Sequence, residues 1–249
     1  MTVPLLAVEN VRKAFGGVVA VDGASFAVAR GEMVAMIGPN GAGKTTCFNL
    51  INGQLAPDHG RVLLDGVRID RHDPARVARR GVARTFQTAA VFGSMRVREN
   101  VQLALATASG MAWSVASRLR LRDIRAADAL LEQCGVEMLA GRHCATLAYG
   151  DLKRVELALA MAAAPRLLLM DEPTAGTSAA DRGAIMSRTR EWVARDGLGV
   201  LFTEHDTDVV FAHADRVIVL DHGRVIAQGT PAEVRADARV RAIYLGVEA

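Results

Sequence analysis

Lysine is scarce in this chain of 249 residues. Lys13, Lys44 and Lys153 are its only lysines, and arginine supplies the rest of its 30 basic side chains. The arginines are scattered, aromatic residues make up only 4%, and the net charge of +3 gives an isoelectric point near 9.0. A nucleic-acid-binding face usually combines a basic cluster with an aromatic stacking platform. We therefore expect no nucleic-acid partner.

Cysteines are few, and long apolar runs are absent from the sequence. Cys47, Cys134 and Cys144 lack the spacing of a metal site or a redox pair, which fits reduced thiols in a cytosolic protein. We find no signal peptide pattern, and no apolar stretch reaches the roughly 18 residues of a membrane span. Pro165 and Arg166 interrupt the best candidate. Hydrophobic residues still make up 51%, enough for a large core, so work at a membrane would require a partner.

Two kinds of hydrophobic spacing alternate along the chain. Alternation in "LLAVENVRKAF" and "VVAVDGASFAVAR" predicts antiparallel strands, and "GRVLLDGVRI" predicts a strand pair. The segments "GEMVAMIG", "RLLLMDE", "GVLFTEH" and "RVIVLDHGRVIAQG" predict further strands, and apolar strands of this kind suit a buried parallel sheet. We predict one α/β domain over 1–249. Its core covers 1–90 and 165–230, a helical lobe covers 91–164, and a C-terminal tail covers 231–249.

The segment "GPNGAGKT" matches the phosphate-binding pattern G-x-x-x-x-G-K-[ST] at every fixed position. A predicted strand precedes it and a predicted helix follows it, which is the context the pattern requires. Glycines let consecutive amides point at phosphate oxygens, Lys44 can reach the β- and γ-phosphates, and Thr45 can bind Mg²⁺. The pattern alone does not distinguish a kinase, a GTPase or a motor. The predicted cradle comprises Gly38, Pro39, Asn40, Gly41, Ala42, Gly43, Lys44, Thr45 and Thr46.

Other candidate site residues follow predicted strands. In "LLLMDEP", Asp171 can hold Mg²⁺ and Glu172 can polarise a water for attack on the γ-phosphate. His205 can contact the γ-phosphate, Gln87 can bind Mg²⁺ or sense the attacking water, and Phe15 can stack on adenine. Each has a plainer alternative: an ion-paired carboxylate, a structural histidine, a surface amide or a core aromatic.

The order of these motifs resembles that of the ATP-binding subunits of ABC transporters, and the resemblance covers nearly the whole chain. The motifs are the aromatic Phe15, "GPNGAGKTT", "RTFQ", "LAYGD", "LLLMDEP" and "TEHD". The resemblance implies a P-loop NTPase core of the RecA-like kind with an antiparallel β subdomain and an inserted helical lobe. It also implies that "LAYGD" is the signature motif, which faces ATP bound by a partner subunit. The signature residues are Leu147, Ala148, Tyr149, Gly150 and Asp151.

Tyr149 and the ending "GTPAEVRADARVRAIYLG" are similar to the branched-chain amino acid branch of this family, of the LivG type. Related branches serve urea, short amides or aromatic acids. The signature departs from the usual Leu-Ser-Gly-Gly-Gln, because Ala148 replaces serine and Asp151 replaces glutamine. A carboxylate at Asp151 can cap its helix, but it also brings negative charge towards phosphate, which would weaken closure slightly. Thr177 and Ser178 stand where the family often has Leu-Asp or Leu-Asn.

The resemblance implies an ATPase that energises an importer, with ATP and Mg²⁺ as cofactors. The implied partners are two multi-span permeases, a second ABC ATPase subunit (related or identical) and, indirectly, a periplasmic or extracellular solute-binding protein. The implied location is peripheral, on the cytoplasmic face of the inner membrane. Two alternatives stay open: a soluble ABC ATPase that acts on nucleic acid or ribosomes, and a P-loop switch or kinase. The single cassette disfavours the former, and the signature between Gln87 and Asp171 disfavours the latter.

Overall fold

The computed structural model describes residues 3–109 and 124–244, which form ten β-strands and nine α-helices. The strands are β1 (Leu6–Phe15), β2 (Val18–Val28), β3 (Met33–Ile37), β4 (His59–Leu64), β5 (Val67–Arg68), β6 (Val82–Thr85), β7 (Leu167–Asp171), β8 (Gly199–Thr203), β9 (Arg216–Asp221) and β10 (Arg224–Gly229). The helices are α1 (Lys44–Ile51), α2 (Pro74–Arg79), α3 (Val97–Ala108), α4 (Ile124–Gln133), α5 (Tyr149–Met161), α6 (Ala179–Asp196), α7 (Thr207–His213), α8 (Pro231–Ala236) and α9 (Ala238–Tyr244).

The central sheet has six strands in the order β10-β9-β3-β8-β7-β6. Strand β3 pairs in parallel with β8 and β9, β7 pairs in parallel with β6 and β8, and β10 runs antiparallel to β9. Every residue of β3 and β8 is buried, as expected for apolar strands covered on both faces. The predicted α/β class with a buried parallel sheet is confirmed. The carboxyl ends of β3, β8, β7 and β6 therefore lie side by side.

The two faces of the central sheet pack into two separate cores. Met33 and Ala35 face a cluster that includes Val97 of α3, while the alternate residues Val34 and Met36 face a cluster that includes Phe48 of α1. Side chains of a strand alternate between the two faces, so a continuous apolar run serves both cores. The first core joins the sheet to helices α3 to α6, and the second joins it to α1 and the smaller sheet.

The smaller sheet is the predicted antiparallel β subdomain. Its order is β2-β1-β4-β5, and β1 pairs antiparallel with both β2 and β4. Apolar residues of β1 alternate in burial, and Val8 faces the core while Glu9 does not. This sheet covers α1 and so helps to fix the loop that precedes that helix.

One predicted strand is two strands in the structure. The segment "RVIVLDHGRVIAQG" forms the hairpin β9–β10 instead of one continuous strand. Its two-residue turn, His222 and Gly223, has φ values of 44° and 78°. Positive φ at both central positions is the mark of a type I′ turn, which matches the twist of paired strands. The dipeptide His-Gly is a weaker hairpin signal than Asn-Gly or Asp-Gly.

The segment predicted as a tail begins with two short helices. Thr230 and Glu233 form a capping box at the start of α8, and the guanidinium of Arg235 lies 4.2 Å from the ring centre of Phe211 in α7. Residues 110–123 of the predicted lobe and 245–249 of the predicted tail lie outside the described residues. Within the described residues, no helix has both the length and the apolar character needed to cross a bilayer.

Candidate nucleotide-binding site

Four loops that follow neighbouring parallel strands meet at one edge of the central sheet. The glycine-rich loop follows β3, Glu172 follows β7, His205 follows β8 and Gln87 follows β6. Ligands of open α/β sheets bind outside the carboxyl ends of the strands. A cavity of about 210 Å³ lies there, lined by residues 40–46 together with Ala20, Glu172 and His205. The topology therefore brings the predicted phosphate cradle against two of the predicted catalytic side chains.

The glycine-rich loop curls tightly into α1. Gly43 has a φ of 102°, and a Cβ atom at this position would lie 2.3 Å from the carbonyl oxygen of Ala20. Only glycine fits such a position without strain. Helix α1 begins at the next residue, Lys44, and its first turn carries no acidic side chain. Its free amides and positive dipole end lie at the cavity, an arrangement that suits a phosphate group.

The amine of Lys44 is folded back onto the loop. Its Nζ donates to the carbonyl oxygens of Gly38 at 2.6 Å and Pro39 at 3.1 Å. Burial lowers the pKa of Lys44, and the negative charges of Glu172 and Asp171 partly oppose this effect. The loop thus holds a largely desolvated cation beside the cavity, where phosphate oxygens can replace the two carbonyl groups as its partners.

Glu172 lies at the centre of the predicted catalytic group. Its Oε2 accepts a hydrogen bond from Gln87 Nε2 at 3.1 Å, and its Oε1 lies 3.0 Å from His205 Nε2. The backbone of Glu172 has a φ of 49°, which is rare outside glycine, and its amide donates to the hydroxyl of Thr203 in β8 at 3.1 Å. Strained backbone of this kind often occurs at functional sites. A carboxylate held between an amide and an imidazole can accept a proton from a bound water.

Asp171 has an arginine partner that the sequence analysis missed. Arg84 Nη2 donates to Asp171 Oδ2 at 2.8 Å, and the two side chains are only 7% and 13% exposed. Thr203 Oγ1 donates to Asp171 Oδ1 at 2.9 Å. Arg84 also donates from Nη1 to Asn49 in α1 at 2.6 Å. This arginine therefore links the carboxylate to the helix that follows the phosphate cradle. Its position in "RTFQ", three residues before Gln87, was the only available signal.

Glu204 is a second missed residue. It precedes His205, is only 3% exposed, and accepts hydrogen bonds from the backbone amide of Thr174 at 2.8 Å and from its hydroxyl at 2.7 Å. Burial raises the pKa of Glu204, and the two hydrogen bonds from Thr174 oppose that rise. The pair joins the loop after β8 to the turn after β7, so it fixes His205 relative to Glu172.

The oxygen donors near the cradle fit Mg²⁺. The hydroxyl of Thr45, the carboxylate of Asp171 and the amide oxygen of Gln87 are hard ligands of the type this ion prefers. Within the described residues, 3–109 and 124–244, no group of three or more His, Cys, Asp or Glu side chains could hold a metal ion. Nucleotide-bound Mg²⁺ typically takes one or two carboxylate ligands, and phosphate and water oxygens fill much of the rest of its coordination shell. The donor set therefore suits an ion that arrives with a nucleotide.

The predicted signature opens helix α5 away from the cavity. Ala148 is the N-cap residue and supplies no side-chain hydrogen bond, so the first amides of α5 lack a side-chain cap. Asp151 does not cap this helix, contrary to our expectation, because it is the third helical residue and accepts from Arg154 Nη2 at 2.6 Å. Its charge still favours the positive end of the helix dipole. Leu147 and Tyr149 flank the N-cap position.

Gly150 is packed against its own chain. A Cβ atom at Gly150 would lie 2.3 Å from Oδ2 and 2.5 Å from Cγ of Asp181, in the first turn of α6. Ser178 is the N-cap of α6 and also donates to Asp181 Oδ2 at 2.7 Å. A contact inside the same subunit thus requires a residue without a side chain at position 150.

Phe15 lies at the end of β1 and is 47% exposed. The amine of Lys13 lies 5.6 Å from the centre of its ring and is paired with Asp58 at 2.8 Å. Phe15 does not line the described cavity. It is an exposed aromatic ring and not a core residue, so the core-aromatic alternative does not hold, while its stacking on a base stays a prediction.

Comparison with known proteins decides the family. The model of the family described as ABC transporter matches residues 21–175, which include the phosphate cradle, the signature and Glu172. The chain is also 36% identical to the branched-chain amino acid transport ATP-binding protein BraF of Pseudomonas aeruginosa, over 99% of both chains. The chain belongs to the ABC transporter ATP-binding family. It is therefore an ATPase subunit that binds ATP and ADP.

Further relatives of this ABC ATPase agree with that assignment. LivG of Escherichia coli, a high-affinity branched-chain amino acid transport ATP-binding protein, is 35% identical over 99% of both chains. A nucleotide-free ATP-binding cassette of an ABC transporter superposes with a TM-score of 0.86 at 31% identity, covering 98% of this chain and 100% of that one. The ADP conformation of an ATP-binding cassette of an ABC transporter superposes with a TM-score of 0.87 at 31% identity, covering 98% of this chain and 99% of that one. A second family model, described as branched-chain amino acid ATP-binding cassette transporter, matches residues 224–249.

Proposed function

We propose that this ABC ATPase energises the import of branched-chain amino acids. The observation that carries the proposal is the match of residues 224–249 to the branched-chain amino acid cassette model. The full-length relatives BraF and LivG, whose names specify the same cargo, support it. The C-terminal segment carries weight because it lies outside the region matched by the general family model, which ends at residue 175.

In the proposed reaction, the phosphate cradle binds ATP and Lys44 supplies positive charge to its β- and γ-phosphates. Glu172 takes a proton from a water whose oxygen bonds to the γ-phosphorus, and the bond from that phosphorus to the bridging oxygen breaks. The products are ADP and phosphate. The hydrogen bond from Gln87 and the contact with His205 support a role for both side chains in orienting Glu172 and the water. When bound, Mg²⁺ would neutralise phosphate charge, with Thr45, Asp171 and Gln87 as its protein ligands.

The signature residues 147–151 act on the nucleotide of a partner subunit in this proposal. Two features support this assignment: the residues do not line the cavity of their own chain, and their helix begins without a side-chain cap. Two subunits would close over two shared ATP sites, with Phe15 stacked on adenine. We propose two multi-span permeases as the membrane partners and a solute-binding protein outside the membrane. The subunit itself would be peripheral, on the cytoplasmic face of the inner membrane.

An uptake experiment tests the cargo. Cells that lack the gene for this subunit should lose high-affinity uptake of radiolabelled leucine, and the wild-type gene should restore it. The Glu172→Gln variant is the matched control, since it keeps the fold and Asp171 but lacks the base. Excess unlabelled isoleucine or valine should compete with leucine. Normal leucine uptake in the deleted strain would contradict the branched-chain amino acid assignment. If the strain has instead lost uptake of urea, a short amide or an aromatic acid, that compound is the cargo.

A pulldown tests the partners. A tagged subunit extracted from membranes should co-purify with two multi-span proteins and a second ABC ATPase. Recovery of ribosomes or nucleic acid without a membrane protein would contradict the transporter assignment and favour a soluble ABC ATPase.

A further inference from the structure

Helix α5 carries a buried lysine whose amine is hydrogen-bonded to backbone carbonyl groups of the same chain. Lys153 is 3% exposed, although lysine is almost never fully buried unless it is paired. Its Nζ donates to the carbonyl oxygen of Phe86 at 2.6 Å and to that of Gln87 at 2.9 Å. Both carbonyl groups belong to the loop after β6, more than sixty residues earlier in the chain. The lysine therefore ties the backbone of this loop to the signature helix.

Two further side chains of α5 hold the same loop. Glu156 Oε1 accepts from the amide of Phe86 at 2.8 Å, and its Oε2 lies 3.5 Å from Lys153 Nζ. The Tyr149 hydroxyl donates to the carbonyl oxygen of Gln87 at 2.9 Å. Residues 149, 153 and 156 have i, i+4, i+7 spacing and so share one face of the helix. The amide of Phe86 and the carbonyl groups of Phe86 and Gln87 are thus bonded to that face.

The side chains of Lys153 and Glu156 have little freedom to move because they are almost completely shielded from solvent. The two side chains are 2% and 5% exposed, and each charge has partners beyond its counterion. A buried polar network in which every member is hydrogen-bonded is rigid, whereas a buried charge without a partner is costly. The network therefore allows few alternative positions for the backbone of Gln87.

We infer that Lys153 and Glu156 are positioning residues for Gln87. They hold its backbone where its side-chain amide reaches Glu172 Oε2, at 3.1 Å. The inference rests on the proposed function, in which Gln87 orients the water that Glu172 activates. Because α5 begins at the signature, a displacement of this helix also displaces Gln87 relative to Glu172. The catalytic group of one ATP site is thereby connected to the signature that serves the other.

A double-mutant cycle tests this inference. We expect Lys153→Met to lower kcat for ATP hydrolysis by about 10–100-fold, the usual scale for losing a residue that orients a ligand. The affinity for a fluorescent ATP analogue should change less than about 3-fold, because the hydrogen bonds of the Lys153 amine go to Phe86, Gln87 and Glu156 and not to the phosphate cradle. In a Gln87→Ala background, the same change should lower kcat less than about 3-fold, because the positioned group is gone. Arg188→Met, which removes a partly exposed cation from α6, is the matched control and should leave kcat unchanged.

Amide hydrogen exchange of the nucleotide-free subunit gives a second readout. Lys153→Met should accelerate exchange at residues 84–88 by about 10-fold or more while leaving the first turn of α1 unchanged, since only the former segment loses its anchor. If Lys153→Met fails to fold, Lys153→Met/Glu156→Gln replaces it. That pair removes both charges together and so avoids an unpaired buried carboxylate.

The outcomes separate the inference from the function on which it rests. If Lys153→Met lowers kcat equally in the wild-type and Gln87→Ala backgrounds, the positioning role of Lys153 is overturned. If Gln87→Ala alone has a low kcat in that same experiment, the proposed role of Gln87 still holds. Unchanged exchange at residues 84–88 would also overturn it. Normal turnover of Gln87→Ala would overturn both. Slowing by Lys153→Met that depends on Gln87, with faster exchange at residues 84–88, would support the inference.

Discussion

Gly150→Ala should destabilise the isolated subunit because the new methyl group would meet Asp181. A Cβ atom at this position would lie 2.3 Å from Oδ2 and 2.5 Å from Cγ of that side chain, well inside contact distance. Asp181 is short and is itself bonded to Ser178, so it can move only if that bond breaks. Overpacking of this kind costs about 1–3 kcal/mol. Because Arg154 at 3.5 Å also holds the Asp181 carboxylate, the upper part of that range, about 2–3 kcal/mol, applies. Alanine's higher helix propensity recovers about 1 kcal/mol, which leaves a net loss of about 1–2 kcal/mol.

The magnitude can be measured by urea denaturation and by thermal unfolding. For a chain of this size, each kcal/mol lowers Tm by about 2–4 °C, so a fall of roughly 2–8 °C is expected. Asp181→Ala alone should cost about 1 kcal/mol or less, because it loses an exposed hydrogen bond while Ser178 Oγ still accepts from the backbone amide of residue 181. The double variant Gly150→Ala/Asp181→Ala should recover most of the stability. The coupling energy should be about 1 kcal/mol or more.

The same pair of variants separates a fold requirement from a nucleotide requirement. A Cβ atom at Gly150 points at α6 of its own chain. We therefore expect the double variant, combined with Glu172→Gln, to form the ATP-bound dimer as readily as Glu172→Gln alone in size-exclusion chromatography. If Gly150→Ala is as stable as the wild type, or if the two changes are additive within about 0.3 kcal/mol, the steric reasoning is refuted. A stable double variant that no longer dimerises would show that ATP itself requires the bare glycine.

Further predictions concern the proposed ATP sites. Lys44→Ala should abolish hydrolysis and weaken ATP binding, because the cation on the transferred phosphate is lost; near-normal turnover of the purified variant would refute the role. Glu172→Gln should keep ATP binding but slow hydrolysis by about 10²-fold or more, so an ATP-bound dimer should accumulate, and a monomer in every condition would count against it. Arg84→Met should cost about 3–5 kcal/mol in urea denaturation, since Asp171 keeps a buried charge without its partner; a loss below about 1 kcal/mol would show that water replaces the arginine. Finally, Lys44→Ala in one subunit and Ala148→Glu in its partner should leave one intact site that traps nucleotide with vanadate, and no trapping in verified mixed dimers would assign the signature to its own subunit.

The sequence was most informative where function depends on consecutive residues. The pattern from Gly38 to Thr45 combines glycine freedom, a lysine and a hydroxyl in one turn, so spacing alone predicts its geometry. Continuously apolar strand segments predicted the buried parallel sheet, and every residue of β3 is indeed apolar and buried. The convergence of Gln87 and His205 on Glu172 depends on strand order, and the family resemblance supplied that information. The structure brings the three together, while their roles remain predictions.

The missed features depend on contacts between distant segments. Arg84 and Lys153 are charged residues that sequence reasoning assigns to the surface, and only the fold shows that each is buried against a specific partner. The bond between Arg84 and Asp171 spans 87 positions. Asp151 was expected to cap α5, but the helix begins two residues earlier, at Tyr149, which moves the carboxylate to the third helical position. Short-range patterns carry no information about such pairings, and helix ends are uncertain by one or two residues.

The scarcity of lysine gives this subunit a built-in set of spectroscopic probes. Lys13 lies beside the aromatic ring proposed for adenine, Lys44 lies in the phosphate cradle and Lys153 lies under the backbone of Gln87. Their side chains are largely covered and held by partners, with that of Lys13 only 17% exposed and that of Lys153 only 2% exposed. Isotope-labelled lysine would therefore give three side-chain amine signals in an NMR spectrum, each from a different part of the proposed ATP-hydrolysing machinery. The proposed adenine contact, the phosphate cradle and the link between Gln87 and α5 could thus be followed separately through one ATPase cycle, without any engineered label.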